Sequence, residues 1–224
     1  MCGRFAVGEP DAEAWADWLG VAADSPMPRA SWNVAPTQPV AIVRADEAGR
    51  RLDLARWGLV PRWWKKPLAD MKAATFNARS EEAAEKPMFR DAWARARCLV
   101  PALGYYEWTG AKGDKTPWFV TLENNRPGIC FAGLWAEARI DGEPLLSATI
   151  LTCAAGEGTR HLHPRSPVIL AEEDWPRWLD PEASVQDLMR PPAPERLRVW
   201  QVDRAVGRVQ NDGPALVERV GLDL

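Results

Sequence analysis

No apolar run in the sequence approaches the roughly 18 to 20 residues that a membrane helix needs. The amino terminus, MCGRFAVGEPDAEAW, lacks the basic start, apolar stretch and small-residue cleavage site of a secretory signal. A soluble protein with no membrane partner, resident in the cytoplasm, is expected. Cysteine is scarce, and Cys2, Cys98, Cys130 and Cys153 are too far apart to form the CxxC pairs of zinc sites and dithiol redox motifs. The expectation is no structural metal and no cofactor. An excess of positive charge is also missing: 28 Lys and Arg stand against 31 Asp and Glu, and the net charge of -3 offers nucleic acid no global attraction. Any contact with DNA must come from local patches. Internal repeats and low-complexity tracts are absent, and Pro191-Pro192-Ala193-Pro194 is too short to separate domains.

What is present fits one domain over residues 1–224, a length that buries a sizeable core. Apolar and β-branched runs at 40–44, 52–59, 97–101, 104–108, 117–122, 129–136, 146–153, 167–170 and 197–202 predict strands. Trp15, Trp18 and Leu19 share one face of a helix over 10–19, which Pro26-Met27-Pro28 terminates. Segments 80–95, 172–179 and 183–190 also fit helices, the first opened by Ser80-Glu81-Glu82. The periodicity of residues 203–224 is too weak to assign. The sum is α+β and strand-dominated. Cys98, Cys130 and Cys153 fall in strand patterns as small buried hydrophobes.

Thirteen tryptophans are many for this length. Most sit in apolar patterns that make them core, but Trp63-Trp64 lies between Arg62 and Lys65-Lys66 in a loop. Aromatics interleaved with cations suit stacking on unpaired bases, and two indoles pinning a loop to the core would show the same pattern. The pair belongs to a stretch with seven basic residues between Arg50 and Lys72, whereas residues 172–187 are mostly acidic.

Position 2 carries the chemistry. A small residue after Met1 permits removal of the initiator, which leaves Cys2 with a free α-amine, a 1,2-aminothiol. An α-amine has a reference pKa of about 7.7 to 8.0, so part of it is neutral and nucleophilic near pH 7, unlike lysine at about 10.4. It attacks an aldehyde to give an imine, and the thiol then closes a five-membered thiazolidine. Having both nucleophiles on one residue makes closure intramolecular, where effective molarities reach roughly 10⁵ M. Gly3 and Arg4 add close backbone approach and a cation for phosphate.

Several segments in fixed order then resemble the SOS-response-associated peptidase (SRAP) family: MCGRF at the start, WNVAPTQ at 32–38, RWGLVPRWW at 56–64, NARSE at 77–81, RCLVPALGYYEW at 97–108, FAGLW at 131–135 and HPRSPVIL at 163–170. Members of that family cross-link to abasic sites through an N-terminal cysteine. The resemblance implies an enzyme in which Cys2 is the nucleophile, Asn77 orients the amine and sugar, and Glu107 and His163 move protons. Arg4, Asn33, Arg79 and Arg165, with Trp63 and Trp64, are the expected contacts to the strand. The implied partner is single-stranded DNA bearing an abasic site, met by a monomer that associates with the nucleoid through its DNA. A lyase side reaction and self-removal of Met1 accompany that expectation. The architecture expected is a strand-dominated single domain with a curved, barrel-like mixed sheet and a few short peripheral helices. Where the family carries Met between the Arg and Pro of its histidine motif, this chain has Ser166. Two alternatives are a thiol peptidase using Cys2 with His163 and a module that binds single strands without chemistry.

Overall fold

The computed structural model describes residues 2–111, 113–123 and 127–221. A two-residue strand, β1 (Phe5–Ala6), leads into α1 (Ala12–Leu19). The Asp11 carboxylate accepts the Ala14 amide at 2.8 Å and caps the helix. Gly20 closes it in the left-handed region at φ 65°, with its N–H on the Ala16 carbonyl. A hairpin follows, β2 (Pro39–Asp46) and β3 (Gly49–Trp57), then β4 (Asn77–Arg79), α2 (Ser80–Ala83) and α3 (Arg90–Arg95). Next come β5 (Arg97–Ala102), β6 (Gly104–Thr109), β7 (Thr116–Leu122), β8 (Ile129–Ile140) and β9 (Glu143–Ala154). The chain ends with β10 (Arg165–Pro167), β11 (Ile169–Leu170), α4 (Trp175–Leu179) and β12 (Leu197–Gln201).

Five strands close into a barrel in the order β9, β3, β2, β5, β8, with β8 returning to pair along β9. The β3–β9 contact is parallel and the others antiparallel, so the barrel is mixed. Closure leaves these five strands without a free edge. The first half of β8 and the second half of β9 up to its last residue are continuously buried, whereas the second half of β8 alternates between buried and more exposed residues. Continuous burial means cover on both faces. On one face that cover is a second, antiparallel sheet in the order β1, β6, β7, β12. Phe5 joins the layers, its ring edge-on to Trp57 at 4.9 Å and to Phe131 at 5.9 Å. Gly104 permits the close contact inside the second sheet, because a Cβ there would lie 2.5 Å from the Val120 carbonyl oxygen.

The predicted strands are found, with 167–170 divided between β10 and β11; segment 172–179 is helical throughout, and the other helices are shorter than their patterns. Segment 80–95 divides into α2 and α3 because Pro87 brings no N–H to the ladder. Segment 183–190 keeps one helical turn, Gln186–Leu188. There the Arg177 guanidinium holds the Ser184 carbonyl and the Asp187 carboxylate from outside, and Val185 and Leu188 turn into the core. Strands β1 and β4 have too few residues to show a period and are visible only through their partners. The four cysteines are free and buried.

Candidate active site

Four chain segments meet at Cys2, which has no exposed surface. The β1–β6 ladder sets Phe5 opposite Tyr105, and the Tyr106 amide donates to the Arg4 carbonyl at 3.0 Å. Two residues earlier, the antiparallel step carries Cys2 toward the Glu107 end of β6. Asn77 arrives on β4, which runs parallel to β9 with Asn77 opposite Ile150. Its Nδ2 donates to the Cys2 carbonyl at 2.6 Å and holds the start of the chain in place. His163 comes from the turn between β9 and β10, where the amides of Leu162 and His163 both donate to the Thr159 carbonyl.

The electrostatics follow from burial. Loss of water pushes the Cys2 thiol well up, and the Glu107 carboxylate adds to the rise. Glu107 itself is raised by burial, with nearby cations, His163 among them, pulling it back. The Tyr105 hydroxyl is raised first by burial and then by Cys2 and Glu107, which places it in the same cluster. A carboxyl held above its usual range can both accept and return a proton. The Arg165 amide lies 3.0 Å from His163 Nδ1 and donates to it in the tautomer that carries the neutral ring's proton on Nε2. The Arg165 carbonyl oxygen, 3.1 Å from the same nitrogen, is placed to accept once the ring is charged. Asn77 Oδ1 is buried and accepts no hydrogen bond among the described residues. An orphaned acceptor beside Cys2 is a place for an incoming N–H or O–H.

The residues expected to bind the strand divide into two groups. Arg4 Nη1 donates to Asn33 Oδ1 at 2.7 Å and to the Val206 carbonyl at 2.8 Å. Asn33 is buried, and its Nδ2 faces the carbonyls of Val206, Arg208 and Asn211 at 3.3, 3.0 and 2.7 Å. Groups that the sequence suggested for phosphate are thus engaged in tying down the C-terminal segment. Arg165 is also engaged, donating two hydrogen bonds to the Glu81 carboxylate at 2.7 and 2.8 Å. Arg79, by contrast, keeps more than half its side chain in solvent, with one long contact to Glu82 at 3.4 Å. Trp63 and Trp64 part company as well. Trp63 is half exposed, its indole N–H reaching the Pro87 carbonyl at 3.3 Å, while Trp64 packs on Val60, Ala138 and Ile140.

The basic stretch likewise breaks up. Arg50 and Arg51 open β3, whereas Arg62, Lys65 and Lys66 lie beyond its far end in the exposed loop. Ser166, in place of the family's Met, is buried opposite Cys153, with Oγ and Sγ 4.0 Å apart. Sequence reading passed over Glu81 as a helix-start residue, because its partner lies 84 positions away. Among the described residues, no group of three or more His, Cys, Asp or Glu could hold a metal, and no helix is long and apolar enough to cross a membrane.

A closed five-strand mixed barrel in a single strand-dominated domain is the fold class of this chain. The chain belongs to the SOS response associated peptidase (SRAP) family, whose model matches residues 1–209. Among its relatives, the abasic site processing protein YoqW of Bacillus subtilis is 34% identical over 84% of this chain and 85% of its own. The abasic site processing protein YedK of Escherichia coli is 31% identical over 98% and 100%. The fold is shared with a protein of Bacteroides thetaiotaomicron, at a TM-score of 0.86 and 22% identity over 98% of this chain and 100% of that one. A protein of Bordetella bronchiseptica matches at a TM-score of 0.77 and 29% identity over 90% and 100%.

Proposed function

We propose that this protein captures abasic sites in single-stranded DNA covalently, through the amine and thiol of Cys2 after Met1 is removed. The observation that supports it most is the meeting of buried Cys2 and Glu107 with the partly buried Asn77 and His163 in one cluster. That relatives at 31% and 34% identity are abasic site processing proteins points to the same lesion.

The abasic sugar is mostly a closed hemiacetal and must open first. The His163 imidazolium gives its Nε2 proton to the ring oxygen as the C1′–O4′ bond breaks, and the C1′ hydroxyl proton passes to Glu107. The neutral α-amine adds to the C1′ aldehyde, and its surplus proton moves to the new oxygen. Glu107 then protonates that hydroxyl, which leaves as water, and the nitrogen lone pair forms the iminium. The thiol adds to C1′, its proton returns to Glu107, and the C=N pair collapses onto nitrogen to close the thiazolidine. Because burial keeps the thiol protonated, a local base is needed at this last step. Asn77 Oδ1 is the acceptor that orients the amine during attack. The open iminium also acidifies C2′, so slow β-elimination competes until the ring closes. An unpaired strand is favoured because reaching the sugar inside a duplex costs a few kcal/mol of unstacking.

The test mixes processed protein with a single-stranded oligonucleotide carrying one abasic site and separates the products on a denaturing gel. A heat-stable adduct is expected from the wild type and not from Cys2→Ala or a blocked amino terminus. Equal adducts from all three would overturn capture by the aminothiol. Binding without any adduct would leave a single-strand binding module in its place.

A further inference from the structure

We infer that Glu81 is a positioning residue, which acts through Arg165 to hold His163 in the hydrogen-bonding state and orientation that proton transfer requires. The inference rests on the covalent-capture reading for its functional meaning, but its geometry is independent of it.

Three elements are joined at this point. Glu81 lies in the first turn of α2, directly after the strand that carries Asn77 and Arg79. Its two carboxylate oxygens accept Arg165 Nη1 and Nη2 at 2.7 and 2.8 Å, a fork geometry that fixes the guanidinium plane. Arg165 Nη2 also reaches the Thr152 carbonyl oxygen and, at 3.2 Å, the Thr152 hydroxyl on β9. The ladders place Thr152 opposite Arg79 of β4 and opposite Pro167 of β10, so this strand separates the Asn77 and His163 segments while the ion pair bridges them. The backbone of the same Arg165 cradles His163, its amide 3.0 Å and its carbonyl oxygen 3.1 Å from Nδ1. Held in this way, the neutral ring keeps Nδ1 as acceptor and Nε2 as donor, and the charged ring has a carbonyl ready for its second proton. A ring free to rotate or change tautomer would offer the sugar an acceptor where a donor is needed. The Arg165 side chain is only 16% exposed and Glu81 is 52% exposed, so the arginine is the buried anchor and the glutamate its lock. Phosphate binding by Arg165 would require Glu81 to be displaced from both nitrogens.

Two histidines make the idea directly observable, since His161 is exposed and serves as an internal reference beside His163. Two-bond proton–nitrogen spectra of the imidazoles, recorded above the ordinary histidine range and assigned with His161→Gln, read the tautomer without any reaction. Wild-type His163 is expected to show a single Nε2–H form. In Glu81→Gln, and also in Arg165→Lys, which keeps the charge but loses the fork, it should average toward the pattern of His161. On the abasic oligonucleotide, Glu81→Gln should slow single-turnover cross-linking roughly 10- to 100-fold. It should add nothing on a His163→Ala background and leave affinity for undamaged single strand intact. An unchanged His163 spectrum in folded Glu81→Gln would overturn the positioning role, as would full rate in Glu81→Gln where His163→Ala is slow. Arg165→Lys with wild-type spectrum and reduced affinity would assign Arg165 to phosphate instead. If wild type forms no adduct, the capture reading fails while the spectra still decide the role of Glu81.

Discussion

Beside Cys2, Asn77 presents a buried carbonyl oxygen that accepts nothing from the described residues; against the C-terminal segment, Asn33 has its whole amide committed to the Arg4 guanidinium and three backbone carbonyls. The two asparagines are the same residue type, and both were expected to meet substrate. The difference lies in what surrounds them. The segment around Val206, Arg208 and Asn211 folds back over Asn33 and consumes its hydrogen-bonding groups, while nothing among the described residues completes Asn77. A buried acceptor without a donor is a place where an incoming N–H or O–H can bind.

The sharpest way to break this comparison is to remove the open amide. Asn77→Ala should lower the cross-linking rate at saturating DNA roughly 100-fold, the scale of one preorganised polar group at a reaction centre. Its affinity for undamaged single strand should change little, and a normal saturating rate would show that Asn77 only ties down the chain start. Asn33→Ala should do the reverse, taking the amide donor from the Arg208 and Asn211 carbonyls and one of two acceptors from Arg4 Nη1. About 2 to 3 kcal/mol of stability should be lost in urea unfolding. A variant as stable as wild type but unable to bind DNA would place Asn33 with the substrate. The tryptophans repeat the contrast on a smaller scale. Trp63→Ala should weaken single-strand binding by about 1 kcal/mol, roughly tenfold at most, without loss of stability. Trp64→Ala should cost stability instead, and equal effects on binding would dissolve the distinction.

A separate, pH-dependent effect concerns the buried thiols. Burial raises Cys2, Cys98 and Cys130 above the ordinary thiol range, so the folded chain keeps protons that the unfolded chain releases above about 8.5. Stability is therefore complete below that pH and falls as pH rises past it, because the folded state binds more protons. Urea midpoints measured from neutral to alkaline pH should decline, and the decline should be shallower in a Cys98→Ala, Cys130→Ala protein. A midpoint that does not move with pH would show that these thiols titrate alike in both states.

Much of this molecule is legible in one dimension. The apolar and β-branched runs locate β2, β3 and β5 through β9, because such runs depend only on neighbouring residues. Cys2 announces itself by position, since the chemistry of an N-terminal aminothiol needs no fold to be recognised. The order of the family segments, from MCGRF to HPRSPVIL, names the four residues that converge. Less legible were the helices, where Pro87 and the outside grip of Arg177 overrode local pattern. Neither β1 nor β4 is long enough to carry a signal, yet these two short strands deliver Cys2 and Asn77 to the site.

The sequence by itself determined the alphabet of the site: a cysteine able to become an aminothiol, a carboxylate, an imidazole and an amide on recognisable segments. Only the tertiary structure decided which polar groups are engaged. Asn33 and Asn77, Arg79 and Arg165, Trp63 and Trp64 are pairs that residue type cannot separate, and each divides into one committed and one open member. The physical reason is that availability is set by partners distant in sequence: Val206 for Arg4, Glu81 for Arg165, Val60 and Ala138 for Trp64. Those meetings follow from closure of the barrel between β8 and β9 and from the return of the C-terminal segment, neither of which leaves a local trace in the chain.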